Sequence, residues 1–140
     1  MLRIALGVIA GYVAWTILWV GSDQVLIQTV GWYGDHQHAF ERAMFNKEAF
    51  EPSMTVLAFH IIRSVIVSFI SGFVAALVAN ETRRTALILG VLLLISGIAV
   101  EVMAWHYLPI WYHLIFLLLL IPVTIAGGKA RTIMRTVQNA

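Results

Sequence analysis

An all-α fold is expected from this sequence: a polytopic membrane protein in which four transmembrane helices form a bundle, with a short interfacial helix on its outer side. Three observations lead there. Of the 140 residues, 61% are hydrophobic and only 11% are charged, which lies well outside the range of ordinary soluble domains. The apolar residues gather in four stretches, each near the roughly 20 residues that cross a bilayer. The basic residues mark the ends of those stretches. Arg3, Arg83, Arg84, Lys129, Arg131 and Arg135 fall on one side, Arg42 and Lys47 on the other, and Arg63 lies inside a stretch. An excess of Lys and Arg on one side marks it as cytoplasmic, so both termini are expected in the cytoplasm and the protein in the inner (cytoplasmic) membrane of a cell. Residues 1–140 are read as one domain, because four spans leave too little chain for a separate globular unit.

The first span is expected over about residues 4–30, with a polar interruption at Ser22, Asp23 and Gln24. It follows Met1-Leu2-Arg3, so it resembles a secretory signal. No small-x-small cleavage pattern follows it, and it is read as a retained span. The connection from Gly31 to Pro52 carries Asp35, Glu41, Glu48 and Glu51. Between Gln37 and Phe50, the positions Phe40, Ala43, Met44 and Phe50 gather on one side of a helix, which fits an element lying in the membrane interface. The second span, 53–79, opens after Pro52-Ser53, a helix-start signal. A basic turn from Asn80 to Arg84 follows. The third span, 85–107, stops before Pro109, which cannot continue the hydrogen-bond ladder. The fourth, 110–127, contains Pro122 and is expected to end at Gly127-Gly128. Trp32, Tyr33, Trp105, Tyr107, Trp111 and Tyr112 all fall at the outer ends, where amphipathic rings favour the headgroup zone.

Rows of small residues indicate how the spans pack, because in lipid the close approach of backbones supplies much of helix association. The first span carries Gly7, Gly11 and Ala14; the second Ser64, Ser68, Gly72 and Ala76; the third Gly90, Gly97 and Ala104. These rows knit one bundle, or leave one row for an identical or different partner subunit.

Ionisable residues within spans are costly and generally face a bundle interior. Asp23, His60, Arg63 and Glu101 lie at similar depths, between the midplane and the outer surface, so one intramembrane polar cluster is expected. Arg63 would pair with Asp23, Glu101 or both, with His60 beside it. Such a cluster serves either as a buried ion-pair network that fixes helix register or as a site that carries protons or binds a cation.

Other chemistries find little support. The net charge of +2 sits at helix ends facing anionic headgroups, so the expected partner is the lipid bilayer and not nucleic acid. The absence of cysteine excludes disulfides, thiolate metal sites and thiol catalysis. His36 and His38, next to Asp35, and His106 and His113, near the other outer loop, are candidate metal ligands of the nitrogen and oxygen type. Their spacing follows no metal motif, and no metal or other cofactor is expected. Neither a phosphate-binding glycine loop nor a nucleophile motif is present.

Two resemblances are carried by particular runs. Arg42-Ala43-Met44-Phe45-Asn46 with Pro52 looks like a stretch of the four-span, glutathione-using MAPEG enzymes. Ala49 stands where that family has a glutamate, and the third span lacks the family's Arg and Tyr pattern. Gly11-Tyr12-Val13-Ala14-Trp15 and Leu108-Pro109-Ile110-Trp111-Tyr112-His113, with Pro122 and Gly127-Gly128, are similar to small four-span bacterial membrane proteins. That likeness implies a fold and a location, and no activity. The functional expectation is therefore a protein without a catalytic centre, an accessory or assembly subunit of a membrane complex or a homo-oligomer. The alternative is a small proton- or cation-coupled transporter that uses the intramembrane cluster.

Overall fold

In the computed structural model, residues 1–138 are described, apart from the side chains of Arg135 and Gln138. Arg135, one of the expected cytoplasmic flanking charges, thus has its side chain outside the described residues. Five helices follow one another: α1 (Leu2–Thr29), α2 (Gly31–Asn46), α3 (Met54–Ala79), α4 (Arg83–Ala104) and α5 (Ile110–Gln138). No strand occurs among the described residues. All but α2 are long and apolar enough to cross a membrane, α5 over Ile110–Met134. Their surfaces are rich in exposed Leu, Ile and Val. That is the composition a lipid-facing bundle requires, because the bilayer and not the protein interior solvates these side chains.

The polar triplet at Ser22 does not interrupt α1. The Ser22 hydroxyl donates to the Trp19 carbonyl at 3.2 Å, so the ladder runs on. The break comes at Val30, whose backbone is extended with φ −119° and ψ 96°. The Val30 N–H closes α1 on Leu26 O at 2.9 Å, while the Val30 carbonyl accepts from the N–H groups of Tyr33 and Gly34, both at 3.0 Å. This one residue turns the chain back. A Cβ on Gly34 would lie 2.6 Å from the Ile27 carbonyl, so the return is a backbone-on-backbone contact.

The interfacial helix begins at Gly31, earlier than its apolar pattern suggests, and ends at Lys47 in the left-handed region, φ 56°. Phe50 is not helical. It returns across α2 and meets the rings of His36 and Phe40 edge-on, at centroid distances of 5.0 and 5.4 Å. A loop thus supplies the fourth member of the apolar face. Helix α3 starts after Ser53, whose carbonyl accepts the Leu57 N–H at 3.0 Å. It ends at Asn80, also left-handed with φ 55°, a conformation asparagine tolerates better than most residues. Glu81 then caps α4. Its carboxylate accepts the backbone N–H groups of Arg83, Arg84 and Thr85 at 3.0, 2.9 and 2.7 Å. These are donors that the first turn of a helix leaves without intrahelical partners.

Two further boundaries differ from expectation. Helix α4 ends at Ala104, and the stretch to Leu108 is a turn in which the Tyr107 N–H bonds Ala104 O at 3.0 Å. Helix α5 does not stop at Gly127-Gly128. No glycine among the described residues has a positive φ, so neither forms the left-handed cap expected there. They lie where α5 approaches its neighbours most closely. A Cβ on Gly127 would collide with the Phe69 carbonyl of α3, and one on Gly128 would lie 2.8 Å from the carbonyl of Thr82.

The same physics places the other small residues. α3 packs against α1, α5 and, less extensively, α4. Gly7 faces Ala75 and Ala79, Gly11 faces Ala75 and Ser71, Gly72 faces the Thr124 backbone, and Gly90 faces Ile121. Ser64, Ser68 and Ala76 are buried, each at 1% exposure or less. The rows of the first and second spans are thus filled within the chain. At the basic end, Arg131 donates to the Ala76 carbonyl and to Asn80 Oδ1, tying α5 to the end of α3.

The aromatic residues divide. Trp32, Trp105 and Trp111 are 49%, 45% and 39% exposed and fit an interfacial role, whereas Tyr33 and Tyr112 are buried. The two tyrosines belong to the interior.

Candidate functional site

Buried charge gathers at the end of the bundle that α2 covers. Arg63, on α3, is 92% buried by its 8% exposure and reaches α1. One terminal nitrogen donates to Asp23 Oδ1 at 2.6 Å and to the Tyr33 hydroxyl at 2.9 Å. Tyr33 in turn donates to Asp23 Oδ1 at 2.5 Å. The guanidinium carbon lies 4.3 Å from the centre of the Trp19 ring, close enough for a cation–π attraction. The sharp return at Val30 is what brings Tyr33 back over Asp23. Burial, followed by the hydrogen bond to Asp23, pushes the Tyr33 phenol up to about 12. It stays a neutral donor.

His60, one turn before Arg63, completes this half. Its Nδ1 lies 3.2 Å from the other terminal nitrogen of Arg63, and its Nε2 lies 2.8 Å from the Gln37 amide and 3.3 Å from the Tyr33 hydroxyl. Arginine can only donate, so His60 Nδ1 accepts. The Gln37 amide nitrogen donates to the Tyr33 hydroxyl at 3.0 Å, so Gln37 bridges His60 and Tyr33.

Glu101 does not join Arg63. It is 4% exposed and bonds the Nδ1 of His113 on α5. His113 Nε2 lies 3.2 Å from the Leu108 carbonyl. A carbonyl accepts only, so Nε2 carries a proton. Nδ1 faces a carboxyl oxygen, so the ring and the carboxyl are placed to hold a proton between them. The stacking of Trp105 on His113, with centroids 4.7 Å apart, covers the ring.

The two halves line one cavity of about 210 Å³. Asp23, His60, Arg63 and Glu101 all contribute to its wall, so the four residues singled out in the sequence share one space, although only three of them form a connected network. Aromatic side chains make much of the remainder: Trp15 and Trp19 from α1, Phe40 from α2, and Tyr112 and Phe116 from α5. Towards the basic end, Tyr12 and Ser96 share a hydrogen bond at 3.0 Å, and Ala75, Leu89 and Leu93 pack together. On the opposite side, the Tyr107 hydroxyl donates to Ala43 O at 3.1 Å, and its ring meets Phe40 edge-on.

The remaining histidines do not converge. His36 lines the cavity and accepts the Ser53 N–H at 3.1 Å; burial lowers its pKa, which favours the neutral ring. His38 lies on the surface 3.6 Å from Glu41, His106 is exposed and so is Asp35. Among the described residues, no three His, Asp or Glu side chains are placed to hold a metal ion. In the run that looks like the glutathione-using family, Arg42 and Asn46 both reach Glu48, at 3.4 Å each. Here it fastens the end of α2.

Fold and cavity together define a class: a polytopic bundle of four helices of membrane-spanning length, with a charge-compensated cavity under an interfacial helix. Compared with protein-family models, curated proteins and solved structures, the chain finds no match.

Proposed function

We propose that this protein is a small proton-coupled membrane carrier whose solute occupies the cavity beneath α2. The observation that carries the reading is the buried contact between His113 and Glu101, whose carboxyl borders the same space as the Arg63–Asp23 network. A carrier must exchange a coupling ion against its cargo at one site. A carboxyl and an imidazole in contact within the spans are groups of the kind that relay protons in membrane pumps and transporters. The closed packing between the cavity and the basic end corresponds to a single access state of such a carrier. The rule of positive charge supports an orientation with both termini in the cytoplasm of an inner membrane, so the cavity lies in the half of the bilayer remote from the cytoplasm.

A second reading, an accessory or assembly subunit or a homo-oligomer, has one feature in its favour. Helix α1 buries only Gly7 and Gly11, while Leu6, Ile9, Val13, Ile17 and Val20 form an exposed stripe at spacings of three and four. Such a stripe suits a further helix as well as lipid. Purification in mild detergent separates the two readings. Recovery with stoichiometric foreign subunits, and no solute movement by the isolated chain in liposomes, supports the accessory role. Recovery of the chain alone, with solute movement, supports the carrier.

A further inference from the structure

The geometry points to a neutral, membrane-soluble molecule with an aromatic ring and a carbonyl oxygen as the occupant of the cavity, entering sideways between α1 and α4. The inference rests on reading that cavity as a ligand site, and four features of the wall define the ligand.

The first is charge. Arg63 pairs with Asp23, and Glu101 pairs with His113. A cation would find both carboxyl groups already engaged, and an anion would find the guanidinium engaged. Either would bring an unpaired charge into an apolar enclosure, which is costly. The second is hydrogen bonding. The Nε–H of Arg63 has no acceptor. His36 takes the Ser53 N–H on Nε2, so its ring proton lies on Nδ1, which also has no partner. Both unmet groups belong to residues of this wall and are donors, and a buried donor without an acceptor is costly. An oxygen acceptor relieves it.

The third feature is shape and surface. The rings of Trp15, Trp19, Tyr112 and Phe116 line the space and pack on one another, which gives it an aromatic wall suited to a further planar group, and Trp19 already lies over the guanidinium. The fourth is access. Val100 is 60% exposed and also lines the cavity. It lies on α4, above the Tyr12–Ser96 bond that joins α4 to α1. Val100 thus carries the cavity wall to the lateral surface of the bundle, which lipid and not water covers.

Photolabelling of the full chain in lipid nanodiscs tests this with benzophenone, a neutral aromatic ketone that cross-links to neighbouring C–H bonds under ultraviolet light. The anion 4-benzoylbenzoate and a trimethylammonium derivative of the same ketone serve as charged counterparts. The expected result is saturable labelling by benzophenone, mapped by mass spectrometry to Trp19, Val100 and Phe116, and stronger than labelling by either charged compound at equal membrane concentration. Val100→Phe, at an exposed position, should reduce it several-fold. His36→Ala should weaken it roughly three- to tenfold, the size of one lost hydrogen bond. Equal labelling of these residues by the charged compounds would overturn the inference, as would adducts spread evenly over the lipid-facing helices or labelling unchanged by Val100→Phe. Labelling needs no gradient. Cavity labelling in a chain that drives no proton-coupled uptake therefore removes the carrier and keeps this ligand class, whereas uptake without ketone labelling removes this ligand class alone.

Discussion

Arg63 on α3 and Asp23 on α1 meet at 2.6 Å although 40 positions separate them in the chain. Their side chains are 9% and 24% exposed, so each charge depends on the other for solvation. Arg63→Leu should strand Asp23 and lower stability by about 3 kcal/mol, the lower end for a broken buried pair because Asp23 keeps some contact with its surroundings. Adding Asp23→Asn should recover part of that loss. Unfolding in mixed micelles gives both values. A single variant as stable as the parent would show that the pair bears no load.

The contact between Gly72 and Thr124 makes a second prediction. A methyl group at Gly72 would collide with the Thr124 backbone, which has no flexible end to yield, whereas at Gly21 it would meet nothing within 4 Å. Gly72→Ala should therefore cost about 1–3 kcal/mol or more by overpacking, while Gly21→Ala should be neutral or slightly stabilising. Equal stability of the two variants would contradict the packing of α3 on α5.

At the basic end, Glu81 supplies a pH dependence. Burial alone would raise its pKa, but the hydrogen bonds from Arg84, Thr85 and Arg83 outweigh that and hold it below the ordinary carboxylate value. The folded state thus binds this proton less readily than the unfolded state. Its contribution is fully present above about pH 4.3, the unfolded value, and is lost as the pH falls through the lower folded value. Glu81→Gln should be less stable than the parent at neutral pH, and the gap should close in acid. A gap that is constant with pH would show that the capping does not depend on the charge.

Orientation is open to direct measurement because the chain has no cysteine of its own. A single cysteine at the exposed Asp35 should react with an impermeant maleimide in intact cells, and one at Thr132 only after the membrane is breached. The reverse pattern would invert the proposed topology.

The spans were legible because hydropathy and charge act along the chain. Pro52-Ser53 before α3 and Pro109 before α5 mark real boundaries for the same local reason. Gly127-Gly128 misled because a glycine pair reads alike as a helix stop and as a site of close backbone approach, and only the neighbouring Phe69 and Thr82 carbonyls decide between them. In the site, depth alone brought Asp23, His60, Arg63 and Glu101 to one level, and they do share one cavity. Partner choice was not legible. Tyr33 and Gln37 reach the network only because Val30 reverses the chain. Nothing in periodicity shows such a reversal. His113 was visible as a candidate ligand, but its pairing with Glu101 depends on how α4 and α5 face each other.

Proton coupling through Glu101 is the central claim, and uptake into proteoliposomes under an imposed pH gradient tests it most directly. The purified chain and its Glu101→Gln variant are reconstituted at equal density and offered labelled neutral aromatic ketones, small organic cations and divalent cations in turn. The account predicts that the parent accumulates at least one of these against its concentration gradient, that accumulation collapses when the pH gradient is dissipated, and that Glu101→Gln abolishes it while the protein remains folded. Accumulation by the variant equal to that of the parent, or no gradient-driven accumulation of any of these solutes by the parent, would contradict it.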